Sequence, residues 1–82
     1  MNEHILIVED DIAFLKMLST FLKRQEYEVT GVSSVAEAKV KLEATDFPLV
    51  ITDLKLPDDT GISLLEYVKE TTPQTRVILM TG

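Results

Sequence analysis

Short apolar runs alternate along the chain with longer amphipathic stretches, with no internal repeat and no low-complexity segment. His4 to Val8 (HILIV) is a continuous apolar run closed by Glu9, Asp10 and Asp11, which suits a strand buried on both faces. From Ile12 to about Gln25, residues Phe14, Leu15, Leu18, Phe21 and Leu22 recur at helical spacing. They predict a first helix with one wide apolar stripe, Lys16, Lys23 and Arg24 lying away from it. Glu28 to Val32 is β-branched, interrupted by Gly31 and poorer in apolar residues, which predicts a strand at a sheet edge. Ser34 and Glu37 have the spacing of a capping box, opening a second helix that runs to about Ala44 with Val35, Ala38 and Leu42 on one face.

Pro48 stops any helix, and Leu49 to Thr52 (LVIT) is a third short apolar strand ending at Asp53. Residues 54–61 (LKLPDDTG) have loop chemistry, in which Asp58 and Asp59 are expected to cap a third helix or to shape the turn before it. That helix carries Ile62, Leu65 and Val68 on one face and ends before Pro73; Arg76 to Met80 (RVILM) is the fourth strand. Strands separated by single helices imply right-handed crossovers, hence a three-layer α/β fold, an open parallel sheet with helices on both faces. Such folds bind ligands beyond the carboxyl ends of their strands. The positions to examine are therefore Glu9-Asp10-Asp11, Ser33-Ser34, Asp53 and Thr81.

Eighty-two residues make one small domain at most, expected to bury only about 60 to 65 per cent of the surface its unfolded chain exposes. The 45% hydrophobic and 27% charged content is ordinary for a globular domain and excludes a disordered or fibrous chain. Fourteen acidic against eight basic residues give a formal charge of -6, and the basic residues are scattered from Lys16 to Arg76, so neither nucleic acid nor an anionic membrane is an expected partner. No cysteine is present, which excludes a disulfide framework and thiolate zinc sites and fits a cytoplasmic setting. The opening MNEHILIVEDD lacks a basic region before its short apolar run, so it reads as neither a signal peptide nor a membrane span.

If the first and third strands are neighbours, Glu9 and Asp10 lie near Asp53, and three carboxylates share one crevice. Like charges so gathered require a proton or a cation to offset them. Oxygen-only ligands favour a hard cation such as Mg²⁺, and a carboxylate beside that ion can act as a nucleophile toward a phosphoryl group. Taken singly, the same residues have simpler readings: Asp10 or Asp11 as the N-cap of the first helix, Asp53 as turn chemistry, Thr81 as an ordinary polar residue after a strand. His4 reads as a strand-end residue rather than a phosphotransfer histidine, and Gly31, Gly61 and Gly82 do not have the spacing of a nucleotide-binding loop.

Together, the ILIVEDD start, the apolar strand ending at Asp53, Lys55-Leu56-Pro57 followed by Gly61, and the fourth strand closing on Met80, Thr81 and Gly82 resemble the receiver domain of two-component response regulators. The resemblance covers the chain in order and spacing. It implies a flavodoxin-like receiver fold with strand order 2-1-3-4-5, of which residues 1–82 form the portion ending after strand four, before the family's fourth helix, fifth strand and fifth helix. It implies Asp53 as phosphoacceptor from a sensor histidine kinase or small phosphodonor, in a relay that controls an output domain such as a transcription regulator. Asp10 and Asp53 become direct Mg²⁺ ligands, Glu9 a ligand through water, Lys55 a ligand through its backbone carbonyl, and Thr81 the switch hydroxyl.

The intact domain is then expected to catalyse its own Mg²⁺-dependent phosphorylation and dephosphorylation, impaired in a portion without the lysine of the fifth strand. Strand four would be an apolar edge, and self-association through it or through the sheet faces beside it is expected. Two other readings remain open. One is a receiver-like interaction module independent of phosphorylation. The other is a Mg²⁺-dependent phosphohydrolase with an aspartyl intermediate, which would usually want an acid where Lys55 stands.

Overall fold

The computed structural model describes residues 3–81; Met1, Asn2 and the Gly82 that completes the Met80-Thr81-Gly82 motif lie outside it. The elements are β1 (His4–Val8), α1 (Ile12–Arg24), β2 (Glu28–Val32), α2 (Val35–Ala44), β3 (Leu49–Asp53), α3 (Gly61–Thr71) and β4 (Arg76–Met80). All strand pairings are parallel and the order is β2-β1-β3-β4. The first crossover runs one way from β1 and the later two run the other way, so right-handed connections put α1 on one face of the sheet and α2 with α3 on the opposite face.

β1 explains the rest of the packing. It is paired on both sides, and Ile5, Leu6, Ile7 and Val8 are all buried. Burying each of these side chains contributes about 1.5–3 kcal/mol. Leu6 and Val8 point into a cluster with Val32, Val35, Ala38, Leu42, Phe47, Val50, Leu64 and Val68, which welds α2 and α3 to the sheet. Ile5 and Ile7 alternate to the other face. There α1 packs mainly over β2, with Leu15 seated on the bare backbone of Gly31, the closest approach to a Cβ at that position being 3.0 Å. As its composition suggests, β2 is an edge strand, and β4 forms the other edge, the one on which self-association is expected. Ile78 of β4 is 50% exposed.

Helix boundaries agree with the pattern to within a residue, yet two of the predicted faces are rotated. In α1, Phe14, Leu15, Leu18 and Leu22 are partly covered, no residue is fully buried, and Phe21 is turned to solvent at 58% exposure. At roughly 100° per residue, Phe21 lies about a quarter turn from the centre of the covered stripe, beside exposed Met17. In α3 the buried face is Gly61, Leu64 and Val68 rather than Ile62, Leu65 and Val68. The helix begins at Gly61, and that glycine must face the sheet because a Cβ there would overlap the Asp53 carbonyl oxygen. Positions three and seven residues on then follow it inward. The face of α2, by contrast, is the predicted Val35, Ala38 and Leu42.

Leu64→Ala is accordingly expected to destabilise the fold by about 2–5 kcal/mol. Ile62→Ala should cost less than about 1 kcal/mol. Urea unfolding of the two variants tests the orientation of α3: the predicted Ile62 face would give the reverse ranking.

Candidate functional site

The parallel register of β1 and β3 sets Val8 opposite Thr52, so the next residues along, Glu9 and Asp53, stand side by side at the carboxyl end of the sheet. This is where strand order reverses, between one crossover to α1 and another to α3, and such a switch point opens a crevice. A cleft of about 620 Å³ lies there, lined among others by Glu9, Asp10, Asp53, Lys55, Met80 and Thr81. Carboxylate oxygens of Glu9, Asp10 and Asp53 lie within 4.8 Å of one another. All five predicted site residues therefore meet around one opening, although no single stretch of sequence contains them.

Each acid is held differently. Glu9 is buried, and its carboxylate accepts the Asp11 backbone N–H at 2.9 Å. Its pKa is raised, chiefly by burial, with the Asp53 and Asp10 charges adding to the effect and the Asp11 amide opposing it. Asp10 is exposed. Asp11 is the N-cap of α1, accepting from the Phe14 N–H at 3.2 Å, which settles which of the two aspartates caps that helix. Asp53 is half-buried; one of its carboxylate oxygens accepts the Leu54 N–H at 2.7 Å, which fixes the rotation of the group and leaves the other oxygen for the cleft. Leu54 N–H also reaches the Met80 carbonyl at 3.1 Å, tying the end of β3 to the end of β4, immediately before Thr81.

The donor set is suited to a hard divalent cation. The cluster supplies oxygens only, Glu9 already favours a proton more than an ordinary glutamate, and a cation offsets the same repulsion without protonating any acid. Thr81 is exposed and lines the cleft, as does Lys55.

Residues 54–61 form a small hairpin rather than an irregular loop. Gly61 N–H donates to the Leu54 carbonyl at 2.8 Å, Leu56 N–H to the Asp59 carbonyl at 3.1 Å, and Lys55 faces Thr60 across an antiparallel bridge. Gly61 closes its base. Its missing side chain admits the Asp53 carbonyl and leaves room for Leu79, whose Cδ2 would be 3.1 Å from a Cβ. The only signal of this role in the sequence is a glycine opening a helix a few residues after a strand-end acid.

The aspartates at the hairpin tip do not act as a pair. Thr60 is the N-cap of α3, and Asp59 supports it by accepting from the Thr60 N–H at 2.8 Å and the Ser63 hydroxyl at 3.0 Å. Asp58, in the turn before that helix, does not cap it and reaches the other way: its two carboxylate oxygens accept the backbone N–H groups of Val35 and Ala36, each at 2.9 Å, at the start of α2. Those two amides lower its pKa. The predicted box at α2 forms one residue displaced. Ser34 caps Glu37 N–H, while Glu37 accepts from the Ser33 hydroxyl at 2.8 Å and the Ser33 N–H at 3.3 Å, bonds that lower its pKa.

Comparison with known proteins gives consistent matches. The family model of the response regulator receiver domain matches residues 5–82. The photosynthetic apparatus regulatory protein RegA of Cereibacter sphaeroides is 32% identical over 81 residues, 99% of this chain but only 44% of RegA, so the chain spans less than half of that relative. A CheY-like receiver domain protein from Methanospirillum hungatei superposes with a TM-score of 0.96 at 36% identity, over 100% of this chain and 66% of that one. The response regulator TrrA of Thermotoga maritima, solved in complex with Mg²⁺ and beryllium fluoride, superposes with a TM-score of 0.92 at 25% identity, over 96% of this chain and 69% of that one.

Gly61→Ala is expected to cost about 1–3 kcal/mol, since the methyl group meets backbone rather than a flexible side chain. Urea unfolding measures it, and chemical-shift changes centred on Asp53 and Leu54 should accompany it. Glu37 gives a pH dependence of defined sign. Its folded pKa lies below the unfolded value of 4.5, so its contribution is present above that value and is lost as pH falls through the folded one. The stability difference between the parent and Glu37→Gln should be largest at neutral pH and close in acid; a difference constant across the titration would contradict it.

Proposed function

This chain belongs to the response regulator receiver domain family, and from that membership and the geometry of the acidic cleft we propose that it accepts a phosphoryl group on Asp53 with Mg²⁺ held by the neighbouring acids. The observation that carries this reading is the convergence of Glu9, Asp10 and Asp53 within 4.8 Å at the mouth of the sheet. The Mg²⁺ and beryllium fluoride held by TrrA support it.

The Leu54 amide orients the Asp53 carboxylate and leaves one oxygen to attack phosphorus. An O–P bond forms as the P–N bond to the phosphohistidine of a sensor histidine kinase breaks, and the imidazole departs with the bonding electrons; with an acyl phosphate donor the P–O bond to the acyl oxygen breaks instead and the carboxylate departs with the electron pair. Asp10 and Asp53 would hold the cation directly, Glu9 would act through water, and the Lys55 backbone carbonyl would supply a further oxygen. A bound Mg²⁺ would supply neutralisation of charge on the transferring oxygens.

The product carries more negative charge than the carboxylate it replaces and adds acceptor oxygens beside Thr81. The Thr81 hydroxyl donates to them, and that contact draws the segment after β4 toward the cleft. Movement of this segment is the signal passed to the output domain of the whole protein, a cytoplasmic regulator of the transcription-factor type. No helix among the described residues is long and apolar enough to cross a membrane.

Intact mass after incubation with acetyl phosphate and Mg²⁺ tests the proposal. In a chain that also carries the family's fourth helix, fifth strand and fifth helix, one phosphoryl group is expected, and none on its Asp53→Asn variant, while Asp10→Ala should weaken Mg²⁺ binding by at least about tenfold. Mg²⁺ binding without any labelling would favour an interaction module independent of phosphorylation.

A further inference from the structure

The carboxylate of Asp58 makes two bonds to a helix twenty-three and twenty-two residues away in sequence, and it does so from the tip of the hairpin that carries the site. Local capping does not require this contact, because Ser34 already serves as the N-cap of α2. Val35 and Ala36 N–H belong to the first turn, where backbone donors have no partner within the helix, and the positive end of the helix dipole favours an anion. An ionised carboxylate taking two such donors at 2.9 Å makes charge-assisted bonds, stronger than a neutral pair.

The hairpin needs an anchor at that point. Its base is held by Gly61 against Asp53, and Leu56 packs against the core, but Lys55, Pro57, Asp58 and Asp59 are exposed. Pro57 has no N–H to donate. Lys55 sits between the held base and this exposed tip.

Resting on the function proposed above, we infer that Asp58 is a positioning residue for the acceptor loop. By gripping the first turn of α2 it holds the hairpin tip, and with it the Lys55 carbonyl, at the rim of the cleft. The contact makes α2 part of the scaffold of the cation site although no residue of α2 lines the cleft.

The control is Ser34→Ala, which removes a cap from the same helix end without touching the loop. In the protein carrying Asp58→Ala, amide hydrogen exchange at Leu56 and Gly61, whose N–H groups close the hairpin, should accelerate. In Ser34→Ala these amides should exchange as in the parent. A Mg²⁺ titration followed by NMR should show affinity reduced about tenfold in Asp58→Ala, within about twofold of the parent in Ser34→Ala, and partly restored in Asp58→Asn, which keeps one acceptor. Equal exchange and equal Mg²⁺ affinity in Asp58→Ala and Ser34→Ala would overturn the inference. A parent that binds no Mg²⁺ would instead refute the cation reading of the cleft; the exchange comparison then decides the tether by itself, faster hairpin exchange confined to Asp58→Ala supporting it and its absence overturning it.

Discussion

The parallel pairing of β1 with β3 is the constraint on which the rest of the molecule depends. It buries four consecutive apolar side chains of β1 in the middle of the sheet, and the same register delivers Glu9 next to Asp53. A slip of one residue would turn Leu6 and Val8 away from the α2 and α3 core and separate the acids at once. Stability and site geometry are thus set by one set of backbone hydrogen bonds, and the acids occupy the first positions at which the sheet no longer has to be apolar.

Bringing those acids together has a cost that the fold meets locally. Glu9 is pushed toward protonation by burial and by its neighbours, while the Asp11 amide partly compensates it. Three carboxylates around an open cleft leave a standing demand for positive charge. The same electrostatics that sets these acids against one another therefore favours a cation there, and phosphorylation of Asp53 would add charge to a place already short of counter-charge. On the proposed function, the response of the surrounding segments to that added charge would be the physical basis of a switch.

The segment between β3 and α3 is held from two directions by different forces. At its base the constraint is steric, the bare backbone of Gly61 admitting the Asp53 carbonyl. At its tip it is electrostatic, the Asp58 carboxylate meeting the start of α2. The sheet faces differ as well. α2 and α3 share a closed apolar core, whereas α1 covers its side with partly exposed residues and leaves Ile12, Met17 and Phe21 in water.

Element order, parallel topology and the identity of the strand-end acids were legible in the sequence because they rest on local signals: continuous apolar runs for doubly covered strands, helical spacing between them, and acids placed where those runs stop. The α2 face and its capping residues were equally legible, being determined within a few residues of chain. The strand order came from family resemblance, since periodicity alone does not order a sheet.

The helix faces that were misassigned depended on contacts distant in sequence. The orientation of α3 follows from the fit of Gly61 against Asp53, and the exposure of Phe21 accompanies the packing of α1 mainly over β2. Asp58 and Asp59 are adjacent and chemically identical, so no local rule could separate them. Only the tertiary structure brings the first turn of α2 within reach of one and leaves the other to support the cap of α3, because a hydrogen bond forms with whichever donor the folded backbone presents. The sequence by itself therefore determined which elements form and which acids end the strands; the tertiary packing decided which way each helix turns and which group each side chain holds.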